Sequence, residues 1–184
     1  MVIEEDLRTA LSAFDGKATA PLVDAEAIFQ GRAGYVDALI GLIGDHRPFV
    51  GSGATWLLKR FLERGGALSD DQTAALMAAL PQRLEQPGDG GQGAHWSTAL
   101  HLLQSARYLS LTMAQAGAFK AWLTPLLVHK RPFVRAFALD ALASIARLHG
   151  ALSCDFEAAL ALALEDPAAS VRARARALAS SDPI

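Results

Sequence analysis

Arg47-Pro48-Phe49-Val50 and Arg131-Pro132-Phe133-Val134 decide the fold, because the second tetrapeptide is the first one met again 84 residues later. The identity spreads outward from both. Ala54 returns as Ala138, Leu58 as Leu142, and Gly66-Ala67-Leu68-Ser69 as Gly150-Ala151-Leu152-Ser153. Further on, Asp71 answers Asp155 and Ala74-Ala75-Leu76 answers Ala158-Ala159-Leu160, while upstream Leu39 and Leu42 answer Leu123 and Leu126. Self-similarity at a fixed period is the mark of a repeat architecture, in which neighbouring copies bury one another's apolar faces.

Each copy has helical spacing. Val50, Ala54, Leu57, Leu58 and Phe61 recur at the intervals that draw one stripe along an α-helix, and Val134, Ala138, Ala141, Leu142 and Ile145 redraw it. Pro48 and Pro132 suit a first helical turn, where a missing N–H loses nothing. Gly66 and Gly150 stand where a helix ends in a left-handed residue. Leu68-Ser69 and Leu152-Ser153 then read as a staple residue followed by an N-cap, with Gln72 completing a capping box in the first copy.

A period of 84 residues is too long for one helix pair and suits two pairs of roughly 40 residues each. The intermediate pairs carry weaker forms of the stripe: His95, Ala99, Leu102, Leu103 and Ala106 in one, Val171, Ala175 and Leu178 in the other. Four second helices follow, led by Val50, His95, Val134 and Val171. Asp166-Pro167-Ala168-Ala169-Ser170-Val171-Arg172 and Pro132-Phe133-Val134-Arg135-Ala136-Phe137-Ala138 resemble the second helix of HEAT repeats, with its turn Asp or Pro, Val-Arg pair and following Ala. The pair led by Val50 departs in having Gly51 for the arginine, and the pair led by His95 lacks both Val and Arg.

The resemblance implies an all-α fold, a right-handed α-solenoid of about four HEAT-like helix pairs with an N-terminal helical cap. On that reading one domain spans 1–184, divided into cap helices at 1–33, pair 1 at 34–66, pair 2 at 67–110, pair 3 at 111–150 and pair 4 at 151–184. Leu7, Ala10, Leu11 and Phe14, then Leu22 to Phe29, supply the cap. A glycine-rich loop at 87–93 lengthens pair 2. In HEAT arrays a turn aspartate and this arginine bond along the stack, so the resemblance makes Asp166, Arg135 and Arg172 rungs of a structural ladder.

Composition agrees with helix and offers little chemistry. The chain is 52% hydrophobic, rich in Ala and Leu rather than in β-branched residues, which favours helix over strand and opposes disorder. Lys and Arg (17) nearly balance Asp and Glu (19), so no global field draws nucleic acid or an anionic membrane. An acidic start at Glu4-Glu5-Asp6, the short apolar runs and the lone Cys154 predict a cytoplasmic protein without membrane span or disulfide. The glycine-rich loop follows a helix and lacks the Lys-Ser/Thr pair of a phosphate-binding loop. His46, His95, His101, His129 and His149 never form His-x-x-x-His, and no His-Glu dipeptide occurs, so the likeness stops short of the di-iron HEAT hydroxylases. No metal, cofactor or catalytic set is expected. The acidic residues Asp70, Asp71, Asp155 and Glu157 fall in first helical turns, where the dipole favours them.

What remains is recognition. Counting 100° per residue from each lead position, the direction opposite the stripe falls at the second, sixth, ninth and thirteenth residues after it. That direction selects Ser52, Trp56, Lys59 and Glu63; then Ser97, His101, Gln104 and Tyr108; then Ala136, Asp140, Ala143 and Arg147; then Ala173, Ala177 and Ser180. A concave groove lined by Trp56, Lys59, Glu63, His101, Gln104, Tyr108, Asp140 and Arg147 is expected to hold another protein or peptide, with Trp56 and Tyr108 as aromatic anchors. A nucleic-acid or DNA-glycosylase-like role needs a basic groove, whereas Glu63 and Asp140 offset Lys59 and Arg147. A role in cofactor attachment, as in HEAT-like bilin lyases, rests on analogy of fold alone.

Overall fold

A computed structural model describes residues 2–84 and 94–180. The expected loop at 87–93 and the last four residues of pair 4 lie outside the described residues. The chain is all-α: among the described residues there are ten α-helices and no strand, only an isolated bridge between Leu84 and Ala94. Each segment marked out by the repeat holds two helices. Residues 1–33 hold α1 (Val2–Leu11) and α2 (Ala20–Phe29), and residues 34–66 hold α3 (Tyr35–Gly41) and α4 (Val50–Glu63). Then come α5 (Asp70–Ala78) and α6 (Trp96–Ser105), α7 (Met113–Leu123) and α8 (Pro132–Leu148), and α9 (Ser153–Leu164) and α10 (Ala169–Ala179). None of these helices is long and apolar enough to cross a membrane. The contacts divide the chain into two compact units, 1–102 and 103–184, with the division inside α6.

In the first unit, α1 packs on α2, α3 and α4, and α3 also meets α5. Leu7 and Leu11 of α1, Leu22 of α2, Leu39 of α3 and Val50, Ala54, Leu57 and Leu58 of α4 are wholly buried. Each such leucine contributes about 1.5–3 kcal/mol by leaving water, which is what orders a helix as short as α3. Phe61 leaves the stripe: it is half-buried, and Leu62 takes the core position beside it. Its ring lies over Gly66, where a Cβ would come within 2.5 Å.

The helix ends differ from the expected punctuation in ways the local geometry explains. Pro48 precedes α4 rather than opening it, because Phe49 adopts a left-handed backbone (φ 62°) as N-cap. Its ring meets Phe14 edge-on at 6.2 Å and His95 at 5.1 Å, packing that offsets the left-handed penalty of about 1–2 kcal/mol. Pro132 does open α8. At the end of α4 the left-handed residue is Gly65 (φ 87°), one place before the expected Gly66. The Gly66 N–H reaches back to the Phe61 carbonyl at 3.0 Å and the Gly65 N–H to that of Leu62 at 3.0 Å, a Schellman closure. Gly150 has no such role; it begins a short 3₁₀ turn, Gly150–Leu152. Ser69 caps α5 with Gln72 in the expected box, but Ser153 lies inside α9 and its hydroxyl donates to the Gly150 carbonyl. Gly51 stands for arginine because the α4 backbone runs against the end of α3: a Cβ there would lie 2.3 Å from the Ile43 carbonyl oxygen.

In the second unit α8 is the centre. It packs on α7, α9 and α10, and Val134, Ala138, Leu139, Ala143 and Ile145 are wholly buried. Its alanines allow that close approach. Thr112 and Gln115 form a second capping box at the start of α7. Val171 and Ala175 bury the inner side of α10.

Candidate functional site

Three turns are built alike. The side chains of Asp45, His129 and Asp166 each accept the backbone N–H two residues on, from Arg47 at 2.8 Å, Arg131 at 3.1 Å and Ala168 at 2.8 Å, ahead of α4, α8 and α10. At two of them an arginine from another helix completes the turn. Arg135 donates from Nε and from Nη2 to the Asp166 carboxylate, each at 2.8 Å, and Arg8 donates from Nε to Asp45 at 2.8 Å. The side chains of Arg135 and Asp166 are little exposed, so the pair is shielded from solvent. The Arg135 hydrogen bonds hold the Asp166 carboxyl below its ordinary range, and that carboxylate in turn raises the guanidinium. Arg172 instead donates from Nη1 to the carbonyls of its own turn, Asp166 at 2.6 Å and Pro167 at 3.0 Å. The pairing of Asp45 with Arg8 is not legible in the repeat, because Arg8 lies in α1, outside the repeated pattern.

Of the residues expected to face outward, α4 presents Trp56, Lys59 and Glu63 along one side. Trp56 is half-buried, with the Arg60 guanidinium 4.8 Å over its ring. Lys59 Nζ donates to Glu63 at 3.1 Å. Arg60 and Arg64 of this region reach Glu26, a residue that no sequence pattern marks. It is 5% exposed and accepts from Arg60 Nε at 3.0 Å and Arg60 Nη2 at 3.0 Å, with Arg64 Nη1 at 2.9 Å. Burial, with the Glu26 charge adding to it, pushes the phenol of Tyr35 up.

Ser52 is buried, a correction to the direction read from the repeat, and His101 is half-buried against α4. Ser52 is 2% exposed and its hydroxyl bonds to that of Ser97 on α6. Ser97 in turn meets His95 Nδ1 at 2.6 Å. His101 Nδ1 lies 3.2 Å from the Ser52 carbonyl and 3.2 Å from Thr55 Oγ1. A carbonyl only accepts, so Nδ1 carries the proton. Burial first, then the Lys59 charge, pulls the His101 pKa down to about 4, so the ring is neutral at pH 7. The direction opposite the apolar stripe is therefore the one along which α4 and α6 exchange polar contacts.

The second unit repeats the lesson. Ala136, Asp140 and Ala143 are buried rather than open. Asp140 receives Arg107 Nη2 at 2.8 Å and lies 3.5 Å from Arg174 Nη1, and Arg174 also covers the Phe137 ring at 5.4 Å. Gln104 is half-buried, while Tyr108 and Arg147 are exposed. Ala173 and Ser180 are exposed as expected.

An open groove of about 680 Å³ lies between the ends of α3 and α5, lined among others by Ile40, Gly41, Ala75, Ala79 and Leu80. Asp37 at its edge accepts from Gln72 Nε2 at 3.0 Å. Among the described residues no three His, Cys, Asp or Glu side chains gather closely enough to hold a metal ion. Cys154 is exposed at the start of α9. No protein-family profile, curated protein or solved structure matches the chain.

Proposed function

We propose that the chain is a non-catalytic protein-binding module, a right-handed solenoid of about four HEAT-like helix pairs with an N-terminal helical cap. It holds another protein or peptide against the side of α4 that bears Trp56. The observation that carries this reading is the state of that indole: half-buried, stacked by Arg60 at 4.8 Å, with Arg60 itself locked by the buried Glu26. A tryptophan already immobilised loses little further entropy on binding, and Trp and Arg are the residue types that dominate interface energetics. Lys59 and Glu63 give it a rim of mixed charge, which suits a polypeptide better than a polyanion. The solenoid is supported by two helices in every segment and by the aspartate turns repeated before α4 and α10. A single exposed cysteine suits a reducing cytoplasm.

The test places a photo-crosslinking residue at Lys59 and compares partners captured by the parent and by Trp56→Ala. Losing the indole should weaken capture by about 2 kcal/mol, some thirtyfold, with the melting temperature held. Capture undiminished by Trp56→Ala would remove the reading.

A further inference from the structure

The turn between α7 and α8 differs from its counterpart in the first copy in ways the repeat does not require. Where the first copy reads Gly44-Asp45-His46, the second reads Val128-His129-Lys130. Both versions do the same local work, since Asp45 and His129 each accept the backbone N–H two residues on. The changes nevertheless run one way: an apolar side chain replaces a glycine, an anion is gone and a lysine is gained. Phe49 and Phe133, identical in sequence, differ in surroundings too. The Phe49 ring packs on Phe14 and His95, whereas Phe133 is 64% exposed, and Val128, at 81%, is more exposed still.

Charge follows the same course. The whole chain is formally −2, yet from Gly90 to Leu139 it holds no Asp or Glu against Arg107, Lys120, Lys130, Arg131 and Arg135. Acids from beyond that run meet three of these: Asp140 takes Arg107, Asp155 takes Lys120 and Asp166 takes Arg135. The other two, Lys130 and Arg131, stand exposed between Val128 and Phe133. Burial first, then the charges of Lys130, Arg131 and Arg135, lowers the pKa of His129 beside them. The turn is also strapped from within, because Arg135 Nη1 donates to the carbonyls of His129 at 2.8 Å and Lys130 at 3.3 Å.

We infer that this turn is a membrane-contact tip, which lodges Val128 and Phe133 in the headgroup region of an anionic bilayer while Lys130 and Arg131 face its negative headgroups. This goes beyond the Trp56 reading and concerns another part of the chain. Reversible attachment to a membrane takes two signals, apolar insertion and basic charge, and the segment from Val128 to Phe133 carries both. A bilayer accepts a projecting turn without a cavity shaped to it. Val128 separates this contact from one with nucleic acid, since an aliphatic side chain offers no face on which a base can stack. The strapped turn is already ordered, so little entropy is lost on contact.

The test floats the full chain with vesicles of phosphatidylcholine alone or of phosphatidylcholine mixed with phosphatidylserine. Flotation is expected with the mixed vesicles only, and it should fall as salt is raised. Lys130→Gln combined with Arg131→Gln should weaken binding about twentyfold, roughly fivefold for each cation, and Phe133→Ser should weaken it about tenfold. Leu148→Ser, at the other end of α8 and 60% exposed in the parent, should leave it unchanged. All these side chains are exposed, and an unchanged melting temperature verifies that each variant is folded. Equal flotation with phosphatidylcholine alone, none with the mixed vesicles, or a loss on Leu148→Ser as large as that on Phe133→Ser overturns the inference. So does a Phe133→Ser variant that floats like the parent. Retention on single-stranded DNA without flotation, abolished by the paired glutamines, would assign the turn to nucleic acid instead. Self-association without flotation, abolished by Phe133→Ser, would assign it to a second copy, and either result overturns the membrane contact.

Discussion

His101 offers a quantitative test of how α4 and α6 meet. Its ring donates toward the Ser52 carbonyl and Thr55 Oγ1 from a largely buried place near Lys59, and its pKa in the fold is about 4 against 6.5 when solvated. The folded pKa is the lower one, so the fold prefers the neutral ring. The contribution of that preference is complete above pH 6.5, shrinks as pH falls, and is lost once pH passes 4. The gap of 2.5 units corresponds to about 3 kcal/mol lost in full, of which about 2 kcal/mol has gone by pH 5. Urea unfolding of the parent and of His101→Asn between pH 4 and 8 isolates this effect. The asparagine amide retains a donor for Ser52 but does not titrate, and the other carboxylates and histidines cancel in the difference. The stability difference should move in favour of the variant by about 3 kcal/mol from pH 7.5 to pH 4. A difference flat with pH to within about 0.5 kcal/mol would mean that His101 keeps its ordinary pKa and that the α4–α6 contact is solvated rather than closed.

Other expectations follow from the same geometry. Gly51→Ala should destabilise by about 3 kcal/mol, because its Cβ would press on the Ile43 carbonyl at 2.3 Å, whereas Gly117→Ala, with open space around it inside α7, should stabilise by about 0.5–1 kcal/mol; thermal melts compare the two. Arg135→Met should cost about 3 kcal/mol in denaturant unfolding by leaving Asp166 unpaired, and the Arg135–Asp166 contribution should fade on acidification, since a carboxyl held low in the fold loses its advantage as pH drops through its folded pKa. Ser69→Ala should cost about 1 kcal/mol as a lost N-cap, while Ser153→Ala should be near neutral, a contrast that urea midpoints resolve.

The all-α class was legible in the sequence because periodicity and copy-to-copy identity report the same physical demand, burial of one stripe, and that demand leaves its mark on residue type. Val50, Ala54, Leu58, Val134, Ala138 and Leu142 are all buried as read. Facing directions were legible for the buried stripe and for part of the opposite side, where Tyr108, Arg147, Ala173 and Ser180 are exposed as read. A helix held between neighbours has more than one covered side, and small or polar residues such as Ala136, Ser52 and Asp140 can line a covered side as readily as an open one. Hydropathy does not separate the two when the contact is made by hydroxyls, as between Ser52 and Ser97, or by arginines reaching across to Asp140. The displaced caps have a different origin. Copies identical at 66 and 150 end differently because their surroundings differ: the Phe61 ring lies over Gly66, whereas the position equivalent to Phe61 is Ile145, which is wholly buried.

The carboxylate of Glu26 reaches no solvent to speak of, yet it anchors the guanidinium that steadies Trp56. The posture of Trp56 is thus set from below, and a survey restricted to surface positions would overlook the residue that governs it. Glu26→Gln would shift the posture of an outer tryptophan by way of one intervening side chain, so a change at a hidden site would reset the α4 surface while every exposed residue stayed the same.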